Sequence, residues 1–297
     1  MAEDLSTIIE SGDPVLIAAG GPTEGPLWHP GNYLTYVRHR ESMLMRWDGS
    51  GEPVAIRTGT GEGNGCTLDR QGRLLMCEGA NRQITRMDSD GSVTTVADRW
   101  QGKRLNRPND IVCRTDGNVY FTDPERGIPE EQRELGFAAV FRIAPDGALH
   151  VGTDECEYPN GLALSPDESV LYVAISRLDD RCVEEGERGA VCAHRFVRAF
   201  DVAADGTLSN NRIFCDMSSA EPGVPDGMKV DTEGRVYCTG SGGIWVIDAD
   251  GNRLGVIRVP EVPRNLVFGG ENLDTLFITA GDSVYSLQTG VRGIAAL

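Results

Sequence analysis

Histidine is scarce in this chain. The four residues, His29, His39, His150 and His194, show no HxH or HxxxH spacing, so a zinc site built on clustered imidazoles is not expected. No Cys-x-x-Cys pair occurs among the eight cysteines, which fall mostly within apolar stretches and read as buried thiols of a reducing compartment. Cys182 and Cys192 share one loop and would pair only under oxidation. A G-x-S-x-G elbow is missing, which removes the common serine-hydrolase signature. The run GTGEGNG at 59–65 is followed by no Lys and opens no helix, which excludes a P-loop. Positive charge is short as well: 28 Lys and Arg against 45 Asp and Glu give a net charge of -17. That balance repels phosphate backbones and anionic lipid surfaces, so neither nucleic acid nor membrane is expected as a partner. No apolar run approaches the roughly 18 residues of a membrane span. The opening MAEDLSTIIE lacks the basic and apolar regions of a signal peptide, and a cytoplasmic location is expected.

What is present is a phrase repeated six times, beginning at Glu24-Gly25, Asn64-Gly65, Asn109-Asp110, Asn160-Gly161, Asp226-Gly227 and Asn265-Leu266. Each copy holds three apolar stretches bounded by Gly, Asp and Pro clusters, a meander of short strands. A fourth strand usually follows a second Asp-Gly turn, as in DSDGSVTTVA and DADGNRLGVIRV. Four strands per unit at a period of roughly 40 to 50 residues predict an all-β, six-bladed β-propeller. With no linker breaking the repeat, residues 1–297 are expected to form a single domain. The sixth copy runs out of chain after its third strand, while PVLIAAG at 14–20 precedes the first copy without a place. This N-terminal strand is expected to complete the last blade and cover its open edge. Two charged insertions interrupt the period, at 124–137 and at 176–195. They read as solvated surface loops, or alternatively as a rim that shapes what enters the channel. Trp28 and Trp245 read as blade packing rather than as platforms for a sugar.

The innermost strand of a propeller blade lines the central channel, so residues at equivalent strand heads converge on the axis. Singly, Asn-Gly and Asp-Gly are hairpin turns. Six in phase instead predict a ring of Glu24, Asn64, Asn109, Asn160, Asp226 and Asn265. Two carboxylates and several amide oxygens in one place call for a cation between them. An all-oxygen set suits one hard divalent ion, Ca²⁺ first, with Mg²⁺, Mn²⁺, Zn²⁺ or Fe²⁺ as alternatives.

The phrases PTEGPLW (22–28), GKRLNRPNDIV (102–112), VYFTDP (119–124), PNGLALSPDESVLYV (159–173), GVPDGMKVDTEGRVY (223–237) and NLVFGG (265–270) resemble the gluconolactonase branch of the regucalcin, gluconolactonase and luciferin-regenerating-enzyme family. The resemblance spans nearly the whole chain in the family's order. It implies a six-bladed propeller with one catalytic divalent ion in the channel. Glu24, Asn160 and Asp226 would then be metal ligands, Asn109 would complete the shell or hold substrate, and Arg107 would face the ligand together with Asn64. The implied activity is opening of a sugar lactone, a small-molecule ester, by a monomer or small homo-oligomer. Asp226 is the first candidate to accept the proton of the attacking water, and Asp123 is the reserve. The same ring could instead act on phosphotriesters or fluorophosphates, as the similar diisopropyl fluorophosphatase fold does, or hold calcium without catalysis.

The chain departs from the branch at four places. Members often carry His where Gly79 stands, a small residue where Arg107 stands, an aromatic-Gly pair near Glu125-Arg126-Gly127, and an acid within Tyr36-Val37-Arg38. These are expected to be pocket positions, so they bear on which substrate is used.

Overall fold

A computed structural model describes residues 5–10, 12–178 and 193–296. Six four-stranded antiparallel sheets follow one another along the chain. Five are built from contiguous sequence and are here called blades 1 to 5, covering 23–58, 63–97, 111–153, 159–216 and 228–257. Blade 6 takes three strands from 263–288 and its fourth, Val15–Ala19, from the other end of the chain. That strand pairs antiparallel with Ser283–Gln288, as the unplaced apolar stretch predicted. The inner strands lie side by side in chain order, and that of blade 6 packs against that of blade 1. The result is a closed six-bladed β-propeller.

Strands form here because short alternating runs are cut by turns whose first Asp holds the backbone. In LDRQGRL the Asp69 carboxylate accepts N–H bonds from Gln71 at 2.9 Å and Arg73 at 3.0 Å. Asp231 does the same for Glu233 and Arg235 in blade 5. The apolar residues pack between blades rather than within one: Leu27, Val37 and Leu44 of blade 1 meet Leu68, Leu74 and Met76 of blade 2 in one cluster. Every other neighbouring pair of blades shares such a cluster, including blades 6 and 1. Each blade therefore supplies its neighbours with core. The six cysteines that are described are buried and unpaired, and Cys182 and Cys192 lie outside the described residues. Trp28 stacks on Phe277 with centroids 5.0 Å apart, and buried Trp245 donates to Ser241 O at 2.9 Å, so both pack blades. Among the described residues no helix is long and apolar enough to cross a membrane.

The first insertion is mostly exposed but is anchored at a few points. Within 124–137, Ile128 and Leu135 are buried, and Arg82 Nη1 donates to Gln132 O at 3.1 Å. The arms of the second continue the central strands of blade 4, with Ser176 opposite Arg195 and Leu178 opposite Ala193. Its middle, 179–192, lies outside the described residues.

Candidate active site

The Asn-Gly and Asp-Gly pairs are not hairpin turns. They stand at or just before the starts of inner strands, where the glycine lets the next blade come close. A Cβ on Gly161 would overlap the carbonyl oxygen of Asp226, and one on Gly65 would lie 2.9 Å from Asn109 O. Gly65 N donates to that same oxygen at 2.7 Å, and Gly227 N donates to Arg264 O at 2.7 Å. These bonds hand the head of one blade to the next.

The repeated bond also corrects the ring. Thr122, Thr239 and Thr279 face Asp110, Gly227 and Asn265 across their hairpins, so Asn265 lies one residue past the head, in phase with Asp110. The head of blade 6 is Arg264. Glu24, Asn64, Asn109, Asn160, Asp226 and Arg264 all line one cavity of about 760 Å³ at this end of the channel. Asn265 and Asp110 form the layer beneath. Asn265 Nδ2 donates to Asp110 Oδ2 at 3.3 Å, joining blades 3 and 6 across the axis. Glycines stand at the equivalent places in the other four blades; Gly65 and Gly227 leave room for that cross-bond, since a Cβ there would overlap Asp110 Oδ1 or Asn265 Cγ, and Gly25 and Gly161 leave room for the backbone of the next blade. Sequence reading missed this because the blade 6 copy has neither Gly nor an acid to fix its phase.

The head carboxylates are poorly solvated and near one another. Burial lifts the Glu24 carboxyl to about 7, with a bond from Gly25 N–H at 3.0 Å opposing and the Asp110 charge adding to the rise. Asp226 is pushed up by burial and then by the charges of Glu24 and Asp110, against the pull of Arg126 and Arg264. Around them are amide oxygens without donors. Asn160 Nδ2 is tied to Ser176 Oγ at 3.1 Å, which leaves its Oδ1 buried and unpartnered, and Asn64 Oδ1 is in the same condition. Repelling carboxylates and idle carbonyl oxygens are what a hard divalent cation would satisfy, so the residues fit the ion that the family resemblance implies. Among the described residues no three His, Cys, Asp or Glu side chains are placed to hold a metal ion by themselves, so the set depends on its amides.

The other expected residues divide. Arg107 lines the cavity and is ion-paired with Glu62. Its stem lies over Gly79, where a Cβ would sit 3.1 Å from Arg107 Cγ, and its guanidinium lies beside Gly127. The glycine at 79 therefore makes room for the arginine at 107, so the two departures are one change. Asp123 does not line the cavity. It is fully buried, accepts from Asn106 N–H at 2.8 Å, and is pushed up to about 7 by burial. Its carboxylate anchors the backbone that leads into Arg107-Pro108-Asn109. Of the remaining departures Arg126 reaches the cavity. Tyr36 and Val37 do not, being buried between blades, and Arg38 donates to Ala19 O at 3.1 Å.

Sequence reading also missed His39, which follows the second strand of blade 1. In each blade that strand runs back to the head end, so the loop after it overhangs the cavity. That topological rule also yields Gly79 and Arg126. His39 Nδ1 lies 2.9 Å from Gly63 O, and a carbonyl only accepts, so a proton is on Nδ1. Burial pushes the pKa of this imidazole down, against the opposing pull of the Gly63 carbonyl and of the Glu62 carboxylate, whose Oε2 lies 3.9 Å from Nε2.

Comparison with known proteins follows the same lines. Residues 22–282 match the model of the SMP-30/gluconolactonase/LRE-like region. A gluconolactonase of Zymomonas mobilis is 30% identical over 97% of this chain and 85% of its own. A pentonolactonase of Haloferax volcanii is 29% identical over 86% of this chain and 80% of its own. The solved structure of a Xanthomonas campestris gluconolactonase superposes with a TM-score of 0.80 at 33% identity, covering 96% of this chain and 92% of that one.

Proposed function

The chain belongs to the SMP-30/gluconolactonase/LRE-like family, and from that footing we propose that it is a lactonase that opens sugar-derived lactones. Water adds to the ring ester, the acyl C–O bond breaks, and a hydroxy acid leaves. The observation that carries this reading is the ring of heads: two carboxylates and three amides facing one polar cavity, two of the amide oxygens idle.

Glu24, Asn160 and Asp226 would hold a divalent cation, Ca²⁺ first, with Asn109 completing the set or holding substrate. When bound, such an ion supplies polarisation of the ester carbonyl and relief of developing negative charge. Asp226 takes the proton from the attacking water and returns it to the ring oxygen as that oxygen leaves. Its carboxylate lines the same cavity as the groups that would bind the ring, within reach of the reacting ester. Arg107 donates to ring hydroxyls, steadied by Glu62, and Asn64 and Asn109 orient the ring from neighbouring blades. Asp123 positions: its bond to Asn106 fixes the segment that carries Arg107 and Asn109.

A panel of aldonolactones followed by proton release, with and without chelator, tests the reading. Turnover that disappears on chelation and returns with a divalent cation is expected. Failure to open any member with Ca²⁺, Mg²⁺, Mn²⁺, Zn²⁺ or Fe²⁺ present would overturn it.

A further inference from the structure

The molecule as a whole is acidic, with a net charge of -17, yet the wall of its cavity is cationic. Five arginines reach it: Arg40, Arg107, Arg126, Arg195 and Arg264. Above the two head acids a single carboxylate, Glu62, stands among them, and it is committed to Arg107. Arg195 is nine-tenths buried; its Nη1 donates to Ser219 O and Ser241 Oγ, both at 2.8 Å, and its Nε is buried with no partner. Arg40, Arg126 and Arg264 have no ion pair or side-chain hydrogen bond among the described residues. A surplus of arginine on a surface otherwise rich in Asp and Glu has no structural need to serve here, since these three guanidiniums hold nothing in place. Were a divalent ion to balance Glu24 and Asp226, the cavity would be left with a net positive wall.

Arginines spread around the mouth of a recessed site focus the field on its interior and offer paired donors to a planar or tetrahedral anion. We propose that the substrate is an anionic lactone: a polyhydroxylated ring that carries, away from its ester, a carboxylate or a phosphate ester recognised by Arg126 and Arg264 with Arg195 behind them. The proposal rests on the lactonase reading for the reaction and adds to it the charge of the substrate. Arg126 belongs to the insertion 124–137, and Arg195 is the last residue of 176–195.

The test compares D-glucono-1,5-lactone, which is neutral, with D-glucaro-1,4-lactone, which carries a carboxylate, and with a 6-phosphorylated gluconolactone. At low ionic strength kcat/KM is expected to be at least roughly tenfold higher for one of the anionic rings, the better arm identifying the anion, and the advantage shrinks as salt screens the wall. The double variant Arg126→Gln/Arg264→Gln, which leaves the backbone bonds of residue 264 intact, is expected to lose about tenfold more on the anionic ring than on the neutral one. Equal turnover of all three, or equal loss on all three in the variant, overturns the proposal; the latter would put these arginines on the reacting carboxyl that every lactone shares. If no ring is opened, the lactonase reading fails, and calorimetric affinity for the three rings still decides the matter. Tighter binding of an anionic ring, lost in the double variant, upholds a cationic recognition wall, and indistinguishable affinities overturn it.

Discussion

Removing divalent cations and raising the pH together should destabilise this protein more than either does alone. The carboxyl of Glu24 moves from an ordinary 4.5 to about 7 on folding. A carboxyl with a raised folded-state pKa binds its proton more tightly folded than unfolded. Its contribution to stability is therefore complete below about pH 4.5 and is lost as the pH climbs through about 7. The gap between the two values corresponds to ~3 kcal/mol. For a chain of 297 residues that amounts to about 5 °C in Tm. Asp226 is displaced in the same direction, and so is Asp123, pushed up to about 7 away from the head ring. A cation between Glu24 and Asp226 would cancel their share and leave that of Asp123. Thermal melts from pH 5 to 8.5 at constant ionic strength, in chelator and in excess Ca²⁺, separate the shares. The chelated protein should lose about 5 °C or more over that range, the calcium form clearly less, and Glu24→Gln should flatten the chelated curve. Superimposed curves with and without Ca²⁺ would refute the idea that the two carboxylates share an ion.

Other outcomes follow from single contacts. Asp226→Ala should lower lactone kcat by roughly 10² to 10⁴, while Asn64→Ala costs much less; comparable losses would sink the proposed division between ligand and neighbour. Gly161→Ala would drive a methyl onto the Asp226 carbonyl oxygen and to 2.7 Å from Gly227 Cα. Chemical denaturation should register a loss of about 1 to 3 kcal/mol, and an unchanged midpoint would contradict the close approach of blades 4 and 5. Arg57 is ion-paired to Glu78, a carboxylate only 1% exposed that also receives Thr85, Asn81 and Gln83. Arg57→Met strands that charge between blades 1 and 2 and should cost about 3 kcal/mol. A neutral result in denaturant would mean the uncharged donors suffice.

The fold was legible because blade periodicity is a property of local sequence: the strand-turn phrase recurs whatever surrounds it. The closing strand was legible by the same count, since one blade lacked a piece and one apolar stretch lacked a place. Head residues from five blades were found because Gly, or in blade 3 Asp110, after the head marks their phase. The sixth was misplaced by one residue where that mark is missing, and Arg264 took the position expected for Asn265. Positions set by the loops were hidden for a different reason. His39 and Arg195 enter the cavity through pairing between distant parts of a blade, and a lone His or Arg carries no periodic signal of its own. Asp123 illustrates the converse: its place in FTDP suggested chemistry, but the carboxylate turns inward to hold Asn106.

The strand that closes blade 6 also dictates an order of assembly. Thr23 Oγ1 donates to Ser283 O at 2.7 Å across 260 residues of chain. Blades 1 to 5 can form as each leaves the ribosome, but the seam waits until Ser283–Gln288 is free to receive Val15–Ala19. Until then Leu34, Tyr36 and Met45 of blade 1 have no Val267, Phe277 or Val284 to cover them. The half-made chain thus carries one apolar face through most of its synthesis, and loop closure over that span makes the seam the slow, aggregation-exposed step. A circular permutant that joins Val15–Ala19 directly after Gln288 would turn the seam into a hairpin and should refold faster than the natural order.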